Sequence, residues 1–276
     1  MRYALISDIH ANLVALEAVL NSIANQPEID AAYHLGDLVG YGPWPNETIA
    51  LLKGFRITGI MGNHDQTIAT SAAPASGASH APLSHGAWTA RETTDENRAL
   101  LARLPFRMDL RPRGGHVPGP TVFLFHGTPV AIDAYWHGDA TESFCREMAT
   151  IAGARAGDVV CCGHTHLPWH REVDGVHLVN TGSVGRPKDG DWRAGYVTLD
   201  MSGDVAAVEF VRVEYDVHRA AEEIRRSGLP DEFADFLLSG GATGAAAAAP
   251  GRPVAPPLRG TTASERPGRA PRPPHP

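Results

Sequence analysis

Cysteine is scarce in this chain. Of 276 residues only Cys145, Cys161 and Cys162 are cysteine. An odd count, with two neighbours inside an apolar run, excludes a disulfide framework and reads as buried strand residues. Long apolar runs are also missing, which excludes a membrane-spanning helix. The opening Met1-Arg2-Tyr3-Ala4-Leu5-Ile6-Ser7-Asp8 reaches a carboxylate before a signal-peptide core could form, so a cytoplasmic protein is expected. Positive charge is sparse outside the C-terminal end. The chain carries −7 overall, yet residues 240–276 hold five arginines against one acid, Glu265, leaving −11 for the rest. So acidic a body argues against general nucleic-acid binding and against an anionic membrane as partner. It leaves room for a small phosphate substrate, because bound metal ions reverse the local field.

What is present is an ordinary soluble composition, 43% apolar and 20% charged, with a patterned order. Runs at 2–7, 31–35 and 56–61 read as strands. Between them lie helical stretches: one capped by Asn12 with Leu13, Leu16, Leu20 and Ile23 on one face, and one over 46–53. A β-α-β-α-β start implies parallel pairing with right-handed crossovers. Further strands are expected at 121–125 and 158–162, with a helix around 140–152 between them. Asp174-Gly175 and Ser202-Gly203-Asp204 mark two hairpins, 169–173 with 176–180 and 194–199 with 205–213. Helices at 216–227 and 230–238 follow. Two packed sheets covered by helices suit this order. Residues 66–104 interrupt it: 71–79 is small and polar, and 84–104 is helical. This stretch reads as a cap-like insertion in a domain spanning 1–239. Residues 240–276 contain nine prolines and only Val254 and Leu258 as larger aliphatics, so a disordered Pro/Ala/Arg-rich tail is expected.

Five short motifs follow the strands in one order: Asp8-Ile9-His10, Gly36-Asp37, Gly62-Asn63-His64-Asp65, His126-Gly127 and Gly163-His164-Thr165-His166. Their oxygen and imidazole donors suit hard or borderline metal ions. In parallel sheets such residues collect at the carboxyl ends of the strands. The natural partition puts Asp8, His10, Asp37 and His166 on one ion. It puts Asp37, Asn63, His126 and His164 on a second, with the Asp37 carboxylate bridging. Two ions about 3.5–4 Å apart, sharing a hydroxide, suit phosphoryl transfer. Gly36, Gly62, Gly127 and Gly163 flank the ligands where the backbone is expected to turn sharply.

This order of motifs resembles the calcineurin-like metallophosphoesterases over roughly residues 1–215. The length and Asn180-Thr181-Gly182-Ser183-Val184-Gly185 look most like the small bacterial and archaeal YfcE-like phosphodiesterases. The resemblance implies an α/β fold, a four-layer α-β-β-α sandwich. It implies a dinuclear centre, with Mn²⁺ expected and Fe²⁺, Ni²⁺ or Zn²⁺ as alternatives. It further implies hydrolysis of a small phosphate ester, foremost a phosphodiester, by a metal-bridging hydroxide. In the family the His of the Gly-Asn-His-Asp motif contacts phosphate, so His64 is expected to bind substrate with Asn63 and to protonate the leaving oxygen. Asp65 is expected to hold the His64 imidazole in its tautomer. Enzymes of this group often pair, so a homo-oligomer fits too.

Two other readings stay open. One is a phosphomonoesterase or protein phosphatase, although such phosphatases usually carry extra Arg residues in their motifs. The other is a binding scaffold, the use the retromer subunit makes of this fold, which predicts bound metal without turnover. Tyr41 and Trp44 could stack on a base or an aryl group, or anchor their own loop. His80 and His85 lie in the cap. Arg186 and Lys188 could hold a phosphate or sit in solvent.

Overall fold

The computed structural model describes residues 1–71, 84–111, 119–202 and 206–242. The expected disorder of the tail beyond 242, the loop through 72–79, His80 and the Gly203-Asp204 turn fall outside these residues. The first sheet is ordered β10-β9-β1-β2-β3 and the second β4-β5-β6-β8-β7. In the first sheet β1 is Arg2–Ile6, β2 Ala31–His34, β3 Thr58–Gly59, β9 Ala194–Asp200 and β10 Ala207–Val213. In the second β4 is Arg107–Leu110, β5 Val122–Phe125, β6 Val159–Cys162, β7 Trp169–Val173 and β8 Val176–Asn180. Helices α1 (Leu13–Ala24), α2 (Pro45–Gly54), α3 (Asn63–Thr70), α4 (His85–Glu92) and α5 (Asp95–Leu101) precede the second sheet; α6 is Glu142–Ala152, and α7 (Val217–Ser227) and α8 (Asp231–Leu238) close the described chain.

Alternation along the strands builds the layers. In β1, Tyr3 and Leu5 face the second sheet, and Ala4 and Ile6 face α1 and α2. In β5 and β6, Val122, Leu124, Val159 and Cys161 point inward to the first sheet, while Phe123, Phe125, Val160 and Cys162 meet α6. Successive side chains leave opposite faces of a strand, so strands buried on both faces read as continuous apolar runs. The result is an α/β sandwich of four layers, α-β-β-α, as expected. The three cysteines are free and buried in it.

β1, β2 and β3 pair in parallel, as do β5, β6 and β8. Their carboxyl ends therefore open on one edge, where the two sheets are stitched together. Val184 N, beyond β8, donates to the Ser7 carbonyl beyond β1 at 2.9 Å, and Gly185 N to the Asp8 carbonyl at 3.0 Å. Helix α1 is capped by Asn12, whose side chain accepts from Ala15 N. Both expected hairpins form, β7 with β8 and β9 with β10. Two elements differ from expectation. β3 is two residues long, because only Thr58 and Gly59 reach β2. β4 was unforeseen; it is an antiparallel edge strand pairing Arg107–Leu110 with β5. Within 66–104, Ala90 and Leu101 join the core beneath α1 and α2, and Trp88 joins α7 and α8.

Candidate metal centre

All seven expected ligands meet at this edge. Asp8, His10 and His166 bring ligand atoms within 4.8 Å of one another, and so do Asp37, His126 and His164. Asn63 Oδ1 lies 3.0 Å from His126 Nε2, beside the second group. Asp37 joins the two groups: its Oδ2 is 3.7 Å from His10 Nε2 and 3.3 Å from His126 Nε2. A third group, His10, Asp37 and His64, puts His64 between them.

The backbone pays a conformational cost to hold this arrangement. Asp8, His10, Asp37, His164 and His166 all have φ between +50° and +62°. Non-glycine residues avoid this region, at roughly 1–3 kcal/mol each, and such strain gathers at functional sites. The expectation for the glycines needs correction. Gly36 takes φ +90°, but Gly62, Gly127 and Gly163 do not adopt positive φ. At 62 and 163 the reason is close approach: a Cβ on Gly62 would lie 2.1 Å from Asp37 Oδ1, and one on Gly163 2.2 Å from Ser7 Oγ. Most of the sharp turns are made by the candidate ligand residues themselves.

Hydrogen bonds assign the tautomers. His10 Nδ1 donates to the Val39 carbonyl, His126 Nδ1 to the Leu35 carbonyl and His166 Nδ1 to the Arg186 carbonyl. His164 donates from Nε2 to the Asp133 carbonyl. A carbonyl only accepts, so each of these nitrogens carries the hydrogen, and the opposite one presents a lone pair whenever the ring is neutral. The Nε2 atoms of His10 and His166 then face each other at 3.1 Å. Asp8 Oδ2 accepts from Ser7 Oγ and His164 N, but its buried Oδ1 accepts no hydrogen bond and sits 3.2 Å from His166 Nε2. Lone pairs and carboxylate oxygens converging in a buried site require a cation among them. The donor set of carboxylate, amide and imidazole fits divalent metals.

The protonation equilibria agree. Burial opposes charge on His126, yet Asp37 and then Asp8 raise it to about 10. There a proton does the work that a metal ion would. His10 and His64 are both lowered, first by burial. Burial raises and His166 lowers Asp8, with a net fall; Asp37 also falls, against burial, through His126.

His64 stands over the centre with its ring 5.1 Å from that of His10 and 4.9 Å from that of Tyr41. Its backbone N donates to Asp37 Oδ1 at 2.9 Å. Asp65 behaves otherwise than expected: it makes no hydrogen bond to the His64 ring. Its Oδ1 accepts from Leu38 N and Val39 N, and its Oδ2 from Gly62 N. The physical reason is helical. Asp65 is the third residue of α3, so its side chain turns back onto the helix start and accepts from the N–H of the capping Gly62. Ser7 and Ser183, which brace Asp8, went unnoticed in the sequence. Ser7 directly precedes a ligand at a strand end, which was the available signal.

The sequence model of the calcineurin-like phosphoesterase superfamily domain matches residues 1–204. The chain belongs to the calcineurin-like phosphoesterase superfamily. An uncharacterised protein of Methanocaldococcus jannaschii is 31% identical over 86% of this chain and 97% of that one. A serine/threonine-protein phosphatase of Salmonella typhimurium is 26% identical over 65% and 85%. The crystal structure of a metallophosphoesterase from Sphaerobacter thermophilus matches 87% of this chain and 99% of that one, at 30% identity and a TM-score of 0.71. YfcE of E. coli is also among the matched structures, at 20% identity and a TM-score of 0.45, and adds nothing to the family assignment. Superfamily membership suggests a phosphoric ester hydrolase, and the described residues include candidate groups for divalent metals. No described helix is long and apolar enough to cross a membrane.

Proposed function

We propose that this protein is a dinuclear metal-dependent phosphoesterase that hydrolyses a small phosphate ester, foremost a phosphodiester. One observation carries the reading: a single oxygen of Asp37 lies between two separate groups of metal-ligand atoms. In this reading Asp8, His10, Asp37 and His166 hold one ion and Asp37, Asn63, His126 and His164 the other. When bound, such ions supply Lewis acidity to phosphoryl oxygens and activate water. The chain's own contribution is positional. The carbonyls of Val39, Leu35, Arg186 and Asp133 fix which nitrogen of each imidazole is free. His64 is lowered by burial, so its neutral ring can donate its N–H to a phosphate oxygen and to the charge that develops on the leaving oxygen. Asp65 acts as a positioning residue through the backbone. His85, the first residue of α4, stacks on Tyr41 with centroids 4.6 Å apart and lies 5.8 Å from His64. The region 66–104 would therefore meet substrate through His85. We place the enzyme in the cytoplasm with Mn²⁺ as its metal.

A monoester reading draws support from the likeness to the Salmonella phosphatase. The deciding experiment strips the metal, restores Mn²⁺, and compares bis-p-nitrophenyl phosphate with p-nitrophenyl phosphate, using Asp37→Ala as the blank. Mn²⁺-dependent diester cleavage absent from the variant is expected. Monoester cleavage alone would replace the diesterase with a phosphatase. Two bound metals without turnover of either compound would point to a scaffold.

A further inference from the structure

Arg186 and Lys188 follow the Asn180–Gly185 turn, at the rim of the metal centre. The root of Arg186 is tied to that centre: its carbonyl accepts from His166 Nδ1, and its N donates to Ser183 Oγ, which itself donates to the Asp8 carbonyl. Its guanidinium is half-buried between two rings, 4.0 Å from the centre of Tyr41 and 3.8 Å from that of Phe236, with Phe233 at 5.6 Å. Stacking uses the faces of a guanidinium and leaves its five N–H donors in the plane. Among the described residues those donors meet no carboxylate and no side-chain or backbone acceptor within bonding distance. Lys188 is likewise half-buried and has no ion-pair partner among the described residues; the charges it feels are Asp8, Arg186 and Asp37. Two neighbouring cations with no acid beside them among the described residues are costly to hold together. They also stand out in a body this acidic. Phe233 and Phe236 belong to α8, beyond the segment matched by the family, so this cage is built partly by residues outside it.

Charge points to the occupant. Two divalent ions already outweigh the two carboxylates, Asp8 and Asp37, that would hold them. A monoanionic diester would leave Arg186 and Lys188 uncompensated. We propose that Arg186 and Lys188 form a second anion subsite, one aromatic ring away from His10, that selects phosphate esters carrying a second phosphate group remote from the scissile one. This rests on the phosphoesterase reading above.

The test is calorimetric binding to the Mn²⁺-loaded full chain, with two non-hydrolysable probes, propylphosphonate and 1,3-propanediphosphonate. The diphosphonate is expected to bind about tenfold tighter or more. That ratio should fall toward one in Arg186→Met and Lys188→Met, and Arg186→Lys should recover part of it. If Arg186→Met fails to fold, Lys188→Met decides alone. Equal affinities in the wild type, or a ratio untouched by the variants, would overturn the subsite while leaving the phosphoesterase intact. Binding of Mn²⁺ with no binding of either phosphonate would overturn both.

Discussion

Asp65 offers a sharp test of how this centre is held, because it touches no expected metal position yet binds both loops that carry them. Its carboxylate accepts from Leu38 N at 2.9 Å, Val39 N at 3.3 Å and Gly62 N at 3.0 Å, in a fully buried setting. Leu38 follows Asp37, and Gly62 precedes Asn63. Asp65→Ala strands three buried amides at about 1–3 kcal/mol each, so we expect a loss of roughly 3–6 kcal/mol after partial relaxation. Asp65→Asn keeps an oxygen for Leu38 and Val39 but turns an NH₂ toward Gly62 N–H, losing one bond. Burial and then Asp37 hold the Asp65 carboxyl up at about 7, so removing its charge also relieves a repulsion. The Asn variant should therefore cost about 1 kcal/mol, at the low end of that range. Urea unfolding of metal-free protein measures this without the contribution of metal binding. Mn²⁺ affinity, measured separately, should fall about 10–100-fold in Asp65→Ala, as for residues that orient ligands. A stability loss below about 1 kcal/mol in Asp65→Ala would refute the amide accounting. A large loss with unchanged Mn²⁺ affinity would refute the idea that this carboxylate positions the ligands.

Three further outcomes are expected. Asp37→Ala should lower the Mn²⁺ stoichiometry from two to one or none and cut hydrolysis about a thousandfold or more; two ions retained by mass spectrometry would remove Asp37 as the bridge. Gly163→Ala would press a Cβ to 2.2 Å from Ser7 Oγ and 2.6 Å from Asp8 Oδ2, so stability should drop by about 1–3 kcal/mol; an unchanged melting temperature would show that this turn yields freely. His34 is lowered to about 4 by burial, against a bond with Ile60. Its folded pKa lies below its unfolded one. The neutral ring therefore adds stability above about pH 6.5 that is lost as pH falls toward 4, on the order of 3 kcal/mol. An NMR titration placing folded His34 near 6.5 would contradict it.

The candidate ligands were legible in the sequence because each sits within a few residues of a strand end, and short-range order alone brings out Asp8-Ile9-His10 or Gly163-His164-Thr165-His166. The cap at Asn12 and the turn at Asp174-Gly175 were legible for the same reason: their chemistry is local. Strand β4 was not, since four residues, Arg107–Leu110, with one buried side chain become a strand only by pairing with β5. Nor could the sequence show that Asp65 faces the backbone rather than His64. Both are one residue apart, and only the start of α3 and the approach of the Leu38 loop settle where each points. The aromatic cage around Arg186 lies further still from local reading. Tyr41, Arg186 and Phe233 come from β2's loop, the turn after β8 and helix α8, and their meeting depends on how helices dock on a finished sheet. Donor chemistry is a property of residues and their neighbours in the chain. The direction of each lone pair, and which cations go unpaired, follow only from contacts between segments far apart in sequence.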